Sequence, residues 1–152
     1  MFAHLLVPLD GSKLAEAALP MALALAGRFE STITLLRVVR PPHFATSSND
    51  FTQIYVSLRE DMLEEATAYI QLKQNDLLAG GFIVNGRVAE GESIADIILN
   101  AADALGVDAI VMSTHGRGGM KRWVFGSVAD KILQQARVPI LLVRAQPSES
   151  DT

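Results

Sequence analysis

Residues 107–136 read VDAIVMSTHGRGGMKRWVFGSVADKILQQA, and their reading decides the fold. The first eight, 107–114, form a short apolar run of the kind that makes a strand buried on both faces. The last ten, from about Ser127 to Ala136, read as a helix. Between them, residues 113–127 hold four glycines, the cations Arg117, Lys121 and Arg122, and His115. No Asp or Glu occurs between Asp108 and Asp130, although the whole chain carries a net charge of −4. A helix N-terminus has unpaired N–H groups and about half a positive charge. Glycines ahead of it let a ligand approach the backbone closely. Both features suit a phosphate. Ser127 fits either of two roles: its hydroxyl donates to a phosphate oxygen, or it makes a capping box with Asp130 while the cations are merely solvated. Spacing alone leaves both open.

Outward from this unit the pattern repeats. FAHLLVPL (2–9) predicts strand β1, closed by Asp10-Gly11. Ser12 to Ala26 predicts a helix with Ser12 as N-cap, Gly27 just past its end and a kink or late start at Pro20. STITLLRVV (31–39) predicts β2, and the Pro-containing stretch 40–50 a loop. From Phe51 to Leu78, apolar residues at 51, 54, 55, 58, 62, 66, 69, 70 and 77 predict one long amphipathic helix, ended by Gly80-Gly81. FIVNGRV (82–88) predicts β3. Ser93 to Asp96 is a capping-box pattern that opens a helix with core positions Ile94, Ile97, Ile98, Ala101 and Leu105, stopped by Gly106. VPILLVR (138–144) predicts β5. Strands and helices alternate, and the strands are near-continuous apolar runs rather than alternating ones. The fold class is therefore α/β, an open five-stranded parallel sheet with helices on both faces. Ligands of such sheets bind at the carboxyl ends of the strands, where strand order reverses.

Composition narrows the function. A chain of 152 residues is expected to form a single domain over 1–146, with 147–152 a short polar tail. Cysteine is absent, which removes thiolate chemistry and Cys-based zinc sites and suits a reducing compartment. No leader is evident, and no apolar stretch reaches about 18 residues, so the expectation is a cytoplasmic protein without a membrane span. The acidic balance argues against nucleic acid as a partner. His4, His43 and His115 are scattered without metal-ligand spacing, and Glu60, Asp61, Glu64 and Glu65 read as a solvated helix face. GxxxxGK[ST], GxGxxG and GxSxG are all missing, and after β1 there is one acid, Asp10, where a phosphoacceptor would want a pair.

Three pieces together carry a resemblance. Gly116 is followed by nine residues and then Gly126-Ser127; VPLDGS (7–12) ends the first strand; VPILLVR (138–144) is the last strand. In these the chain resembles the universal stress protein family (UspA-like), in its ATP-binding branch. That family's motif is Gly, two residues, Gly, nine residues, then Gly-Ser or Gly-Thr. Here its first glycine falls on Ser113, a departure by one small residue. The resemblance implies strand order 3-2-1-4-5 in a Rossmann-like sheet of the adenine nucleotide alpha hydrolase type. It puts Pro8, Leu9 and Asp10 along the nucleotide, with Asp10 beside the ribose or a Mg²⁺ on the phosphates. It puts Val39 at the adenine, Met112, Ser113, His115 and Gly116 around the ribose and phosphates, and Gly126, Ser127 and Val128 at the phosphate-holding helix start. Charge and position add Arg117 and Arg122.

Nothing in the chain clearly supplies the base and invading arginine of fast phosphoryl transfer. The implied function is a nucleotide-dependent stress-response binding module with ATP and Mg²⁺, at most slowly hydrolytic. The alternatives are a slow ATPase or phosphotransferase using Asp10 and a divalent metal, and a family member acting only through protein contacts. The sequence does not separate ATP from AMP or a cyclic nucleotide. In the implied order the last strand, 138–144, lies at a sheet edge, and an apolar edge invites pairing with a second copy. A homodimer through that strand is expected, as in similar proteins, with Trp123 and Phe125 as candidates to extend the interface.

Overall fold

Alternation along the first strand divides the core in two. Leu5, Val7 and Leu9 pack on one side of the sheet and Leu6 on the other. A strand reads as continuously apolar when both of its faces are covered, and here they are. The computed structural model describes residues 1–43, 50–114 and 126–145. Its strands are β1 (His4–Pro8), β2 (Thr32–Val39), β3 (Ile83–Glu90), β4 (Ala109–Thr114) and β5 (Ile140–Arg144). All neighbours are parallel, in the order β3-β2-β1-β4-β5. The expected order is thus the observed one. The chain steps from β1 out to β2 and β3, then returns to the other side of β1 for β4 and β5. The reversal falls between β1 and β4, where Leu5 sits beside Ala109 and Leu6 beside Ile110.

The helices are α1 (Lys13–Glu16), α2 (Leu19–Phe29), α3 (Asp50–Ala79), α4 (Ile94–Leu105) and α5 (Ser127–Gln135). Ala18, Ala22 and Ala26 bring α2 close against Leu5, Val7, Ile33 and Val111, and Ile70 adds α3 to the same face. On the opposite face, Ala95, Ile98 and Ala102 of α4 and Ala129 and Ile132 of α5 cover Leu6, Leu36, Ile110 and Met112. Leu5, Leu6, Ile33, Leu35 and Ile110 are wholly buried. Each contributes about 1.5–3 kcal/mol by leaving water. The carboxyl ends of β1 and β4 therefore rest on a buried apolar core.

Several local expectations are corrected. The helix expected over 12–26 is two helices. Ser12 does cap the first, accepting from Ala15 N at 3.1 Å. Of the kink or late start expected at Pro20, the late start is observed: it lies in the opening turn of α2, where its missing N–H would be unpaired anyway. Gly27 lies inside α2, which runs on to Phe29 and ends on Glu30 in the left-handed region at φ 55. A Cβ at Gly27 would touch nothing, so no turn depends on that glycine. Ser93 caps α4 as expected, and Gly106 closes it at φ 61. Ile98 is buried and Ile94, Ala101 and Leu105 pack against the core as expected; Ala95 and Ala102 are buried as well, while Ile97 packs over Gly91. The long helix forms, but its apolar stripe is covered only in part. A helix of 30 residues spans about 45 Å, against about 26 Å for a strand of eight. Ala66 and Ile70 are buried, while Phe51, Ile54 and Leu58 stay exposed. Glu60, Asp61, Glu64 and Glu65 are all exposed, as expected. Among the described residues no helix is long and apolar enough to cross a membrane.

Candidate functional site

The carboxyl ends of β1 and β4 open into a cleft of about 320 Å³. Its floor and one wall are apolar: Leu36 and Val38 from β2, Ile94 and Ile98 from α4, and Met112 from β4. Its other end is polar, with Asp10, Ser113, Thr114 and the start of α5 at Gly126 and Ser127. A cavity of this size and make-up, apolar with a few converging polar groups, suits a small molecule with a flat apolar part and a charged part.

The α5 end carries the strongest polar feature. Gly126, not Ser127, is the N-cap, and among the described residues no side chain caps the helix. Asp130 N–H bonds Gly126 O at 2.9 Å, which makes Ser127 the first helical residue. The capping-box reading of Ser127 with Asp130 is therefore wrong, and the Asp130 carboxylate accepts instead from Gln134 at 3.1 Å. The N–H groups of Ser127, Val128 and Ala129 precede the first helical bond, and all three residues line the cleft. The helix is anchored to its neighbour by Lys131, 2.8 Å from Asp96 of α4. That hydrogen bond from Lys131, with one from Ser93, holds the Asp96 carboxyl below its ordinary range.

Asp10 follows β1 and is exposed at the cleft mouth. Its Oδ1 accepts from Ser12 N–H at 2.9 Å and from the Ser12 hydroxyl at 2.5 Å. It is thus the turn former that an Asp-Gly pair often provides. Among the described residues nothing bonds its Oδ2, which leaves one oxygen for a ligand. Gly11 sits at φ 89, and a Cβ there would lie 2.2 Å from Nη1 of Arg37. The guanidinium therefore presses on the back of this turn. Arg37 also lies 5.2 Å from the centre of the Tyr69 ring on α3.

Eight expected site residues come together in the cleft lining: Pro8, Leu9, Asp10, Met112, Ser113, Gly126, Ser127 and Val128. Val39 does not line it; it is buried, and its neighbour Val38 takes the place. His115, Gly116, Arg117 and Arg122 lie outside the described residues, as do Trp123 and Phe125. Sequence reasoning missed Ala15, Leu36, Val38, Thr114, Ala129 and the α4 pair Ile94 and Ile98. Period-two alternation from Leu36 would have pointed to Val38. The α4 residues give no local signal, since a helix lining a cleft looks like any amphipathic helix. Among the described residues no three His, Asp or Glu side chains cluster as metal ligands.

A family model for the universal stress protein family matches residues 1–144. Universal stress protein YxiE of Bacillus subtilis is 31% identical over 150 residues, which cover 95% of this chain and all of that one. The solved structure of hypothetical protein MJ0577, from Methanocaldococcus jannaschii, superposes with a TM-score of 0.79 at 26% identity, over 97% of this chain and 99% of that one. A universal stress protein solved in complex with cAMP shares the fold, with a TM-score of 0.62 at 19% identity over 95% of this chain and 98% of that one.

Proposed function

This chain belongs to the universal stress protein family, and we propose that it is of the ATP-binding kind, a stress-response module whose state depends on the nucleotide in the β1/β4 cleft. The observation that carries the reading is the glycine-capped N-terminus of α5 opening onto an apolar cleft at the point where strand order reverses. The residues fit the ligand. Leu36, Val38, Ile94, Ile98 and Met112 suit a flat base, and the N–H groups of residues 127–129 suit a phosphate. Gly116 and Arg117 belong to the same proposed site, with Pro8, Leu9, Ser113 and His115 around the ribose and Val38, rather than Val39, at the base. Asp10, with Oδ2 unengaged, is the one protein carboxylate proposed for a Mg²⁺ held chiefly by the phosphates. The absence of cysteine fits a cytoplasmic site of action.

Calorimetric titration with Mg²⁺ and ATP, with released phosphate measured in the same samples, tests this reading. Binding is expected, with release well below the roughly 1–100 per second of a kinase. Multiple turnovers per second, lost in Asp10→Asn, would replace the module by an ATPase or phosphotransferase. AMP and cAMP serve as competitors. A purified protein that binds none of the three would act through protein contacts alone.

The module is proposed to work as a homodimer joined through β5. That strand is at the sheet edge, and Ile140 to Val143 are half-buried. Ile110 N–H bonds Pro139 O at 3.0 Å, so Pro139 faces β4. By alternation the N–H groups of Ile140 and Leu142 point away from β4, and Pro139 costs the open edge no donor. A closed two-fold pairing would use that edge without forming fibres. Sedimentation at micromolar concentration is expected to show a dimer for wild type and a shift toward monomer for Ile140→Pro. A wild type that sediments as a monomer with and without ATP would refute the pairing.

A further inference from the structure

Helix α1 has four residues, none of them buried, and is too short to hold itself. It is nevertheless part of the cleft, since Ala15 lines it and the Ser12 that caps α1 also binds Asp10. It is held from outside on two sides. From β4, the Ser113 hydroxyl donates to Leu14 O at 2.5 Å. From α3, Tyr69 OH and Lys73 Nζ meet Oε1 of Glu16 at 2.8 and 2.7 Å. Burial raises the Glu16 carboxyl, but the hydrogen bonds from Lys73 and Tyr69 outweigh it and hold the group below its ordinary range. Burial and the Glu16 carboxylate push the Tyr69 phenol well above its own.

Ser113 is the position where the family motif would place glycine. Along β4, Val111 packs on the α2 and α3 face and Met112 on the α4 and α5 face. Ser113 follows Val111, so its side chain turns to the α1 side rather than across the apolar floor. The serine therefore does not obstruct the cleft; it adds a bond that glycine could not make. We propose that Ser113 and Glu16 are positioning residues that pin α1 to two separate elements, β4 and α3, and so fix the cleft wall formed by Ala15 and the Asp10 turn. This rests on the nucleotide reading of the cleft.

The test compares wild type with Ser113→Ala, Ser113→Thr and Glu16→Gln. Three quantities are read: amide hydrogen exchange in residues 14–18 without ligand, ATP affinity, and thermal midpoint. In Ser113→Ala, Leu14 O keeps its bond from Ala17 N–H at 3.2 Å, so no carbonyl is orphaned and the midpoint should barely move. Exchange in α1 should quicken, and ATP should bind about three- to tenfold more weakly, the equivalent of one hydrogen bond. Ser113→Thr, which keeps the hydroxyl, should restore both, and Glu16→Gln should move both in the same direction as alanine. Unchanged exchange in Ser113→Ala and Glu16→Gln would refute the pinning. Faster exchange with unchanged ATP affinity would refute its role in the cleft. A wild type that binds no adenine nucleotide would instead overturn the functional reading, and the exchange data would still decide whether α1 is pinned.

Discussion

Gly126→Asp is expected to bind ATP at least a hundredfold more weakly than wild type while unfolding at the same temperature or slightly above it. Gly126 has φ −56 and ψ 156, an extended conformation open to any residue. It is also the N-cap of α5, a position where Asp is preferred over Gly by a few tenths of a kcal/mol. A carboxylate at the positive end of the helix adds about 0.3–1 kcal/mol. The variant side chain would accept the N–H of residue 128 or 129, the donors proposed for phosphate. A bond to a charged group contributes about 1.5–3 kcal/mol. Losing two such bonds corresponds to a factor of a hundred or more. Calorimetry and a thermal scan on one preparation separate the two effects. Wild-type ATP affinity in this variant would remove the phosphate from α5, and a marked loss of stability would show that residue 126 is not a free cap.

The second large effect is on folding. Gly11→Ala is expected to cost about 2–3 kcal/mol, a fall in midpoint of about 5–10 °C for a chain of this length. At φ 89 a Cβ adds about 1–2 kcal/mol of backbone strain. It would also stand 2.2 Å from Nη1 of Arg37, which must swing out. That forfeits the stacking of Arg37 on Tyr69, worth about 0.5–1 kcal/mol. The pair of Arg37 with Glu65, 3.7 Å apart and with Glu65 72% exposed, adds little. In an Arg37→Ala background the steric part disappears, so the same Gly11 change should cost only the backbone strain. Denaturant midpoints for the four proteins of that cycle check the account. A neutral Gly11→Ala would show that the turn does not need glycine.

A parallel sheet covered on both faces was legible because each strand is a mostly apolar run and each is separated from the next by a helical pattern; the strand order was implied only by the family resemblance. Ser12, Ser93 and Gly106 marked helix ends correctly because caps act locally, through bonds to residues two to four positions away. Gly27 misled for the opposite reason: the end of α2 is set by Ser31, whose N–H bonds Ala26 O and whose hydroxyl bonds Phe2 O, a contact between distant parts of the chain. Ser127 looked like an N-cap from composition, yet the preceding glycine takes that place, which depends on the backbone geometry entering the helix. In the cleft, Asp10 and Met112 at strand ends and Gly126 at the start of α5 could be read from the family motifs, because the topology fixes where those ends lie. Ile94 and Ile98 could not, since they reach the cleft only when α4 lies across the sheet. Arg37 could not either: in sequence it is one cation in a strand, and its role under the Asp10 turn depends on Tyr69, 32 positions later.

In the proposed complex α5 receives the phosphates of an adenine nucleotide whose base lies on the apolar wall. Backbone amide NMR of the wild-type protein, titrated in turn with adenosine, AMP and Mg²⁺-ATP, tests it most directly. The account predicts that signals of Ser127, Val128 and Ala129 move strongly with AMP and ATP but little with adenosine, while Val38 and Ile98 respond to all three. Phosphate-dependent shifts that fall elsewhere, with residues 127–129 unmoved by ATP, would contradict it.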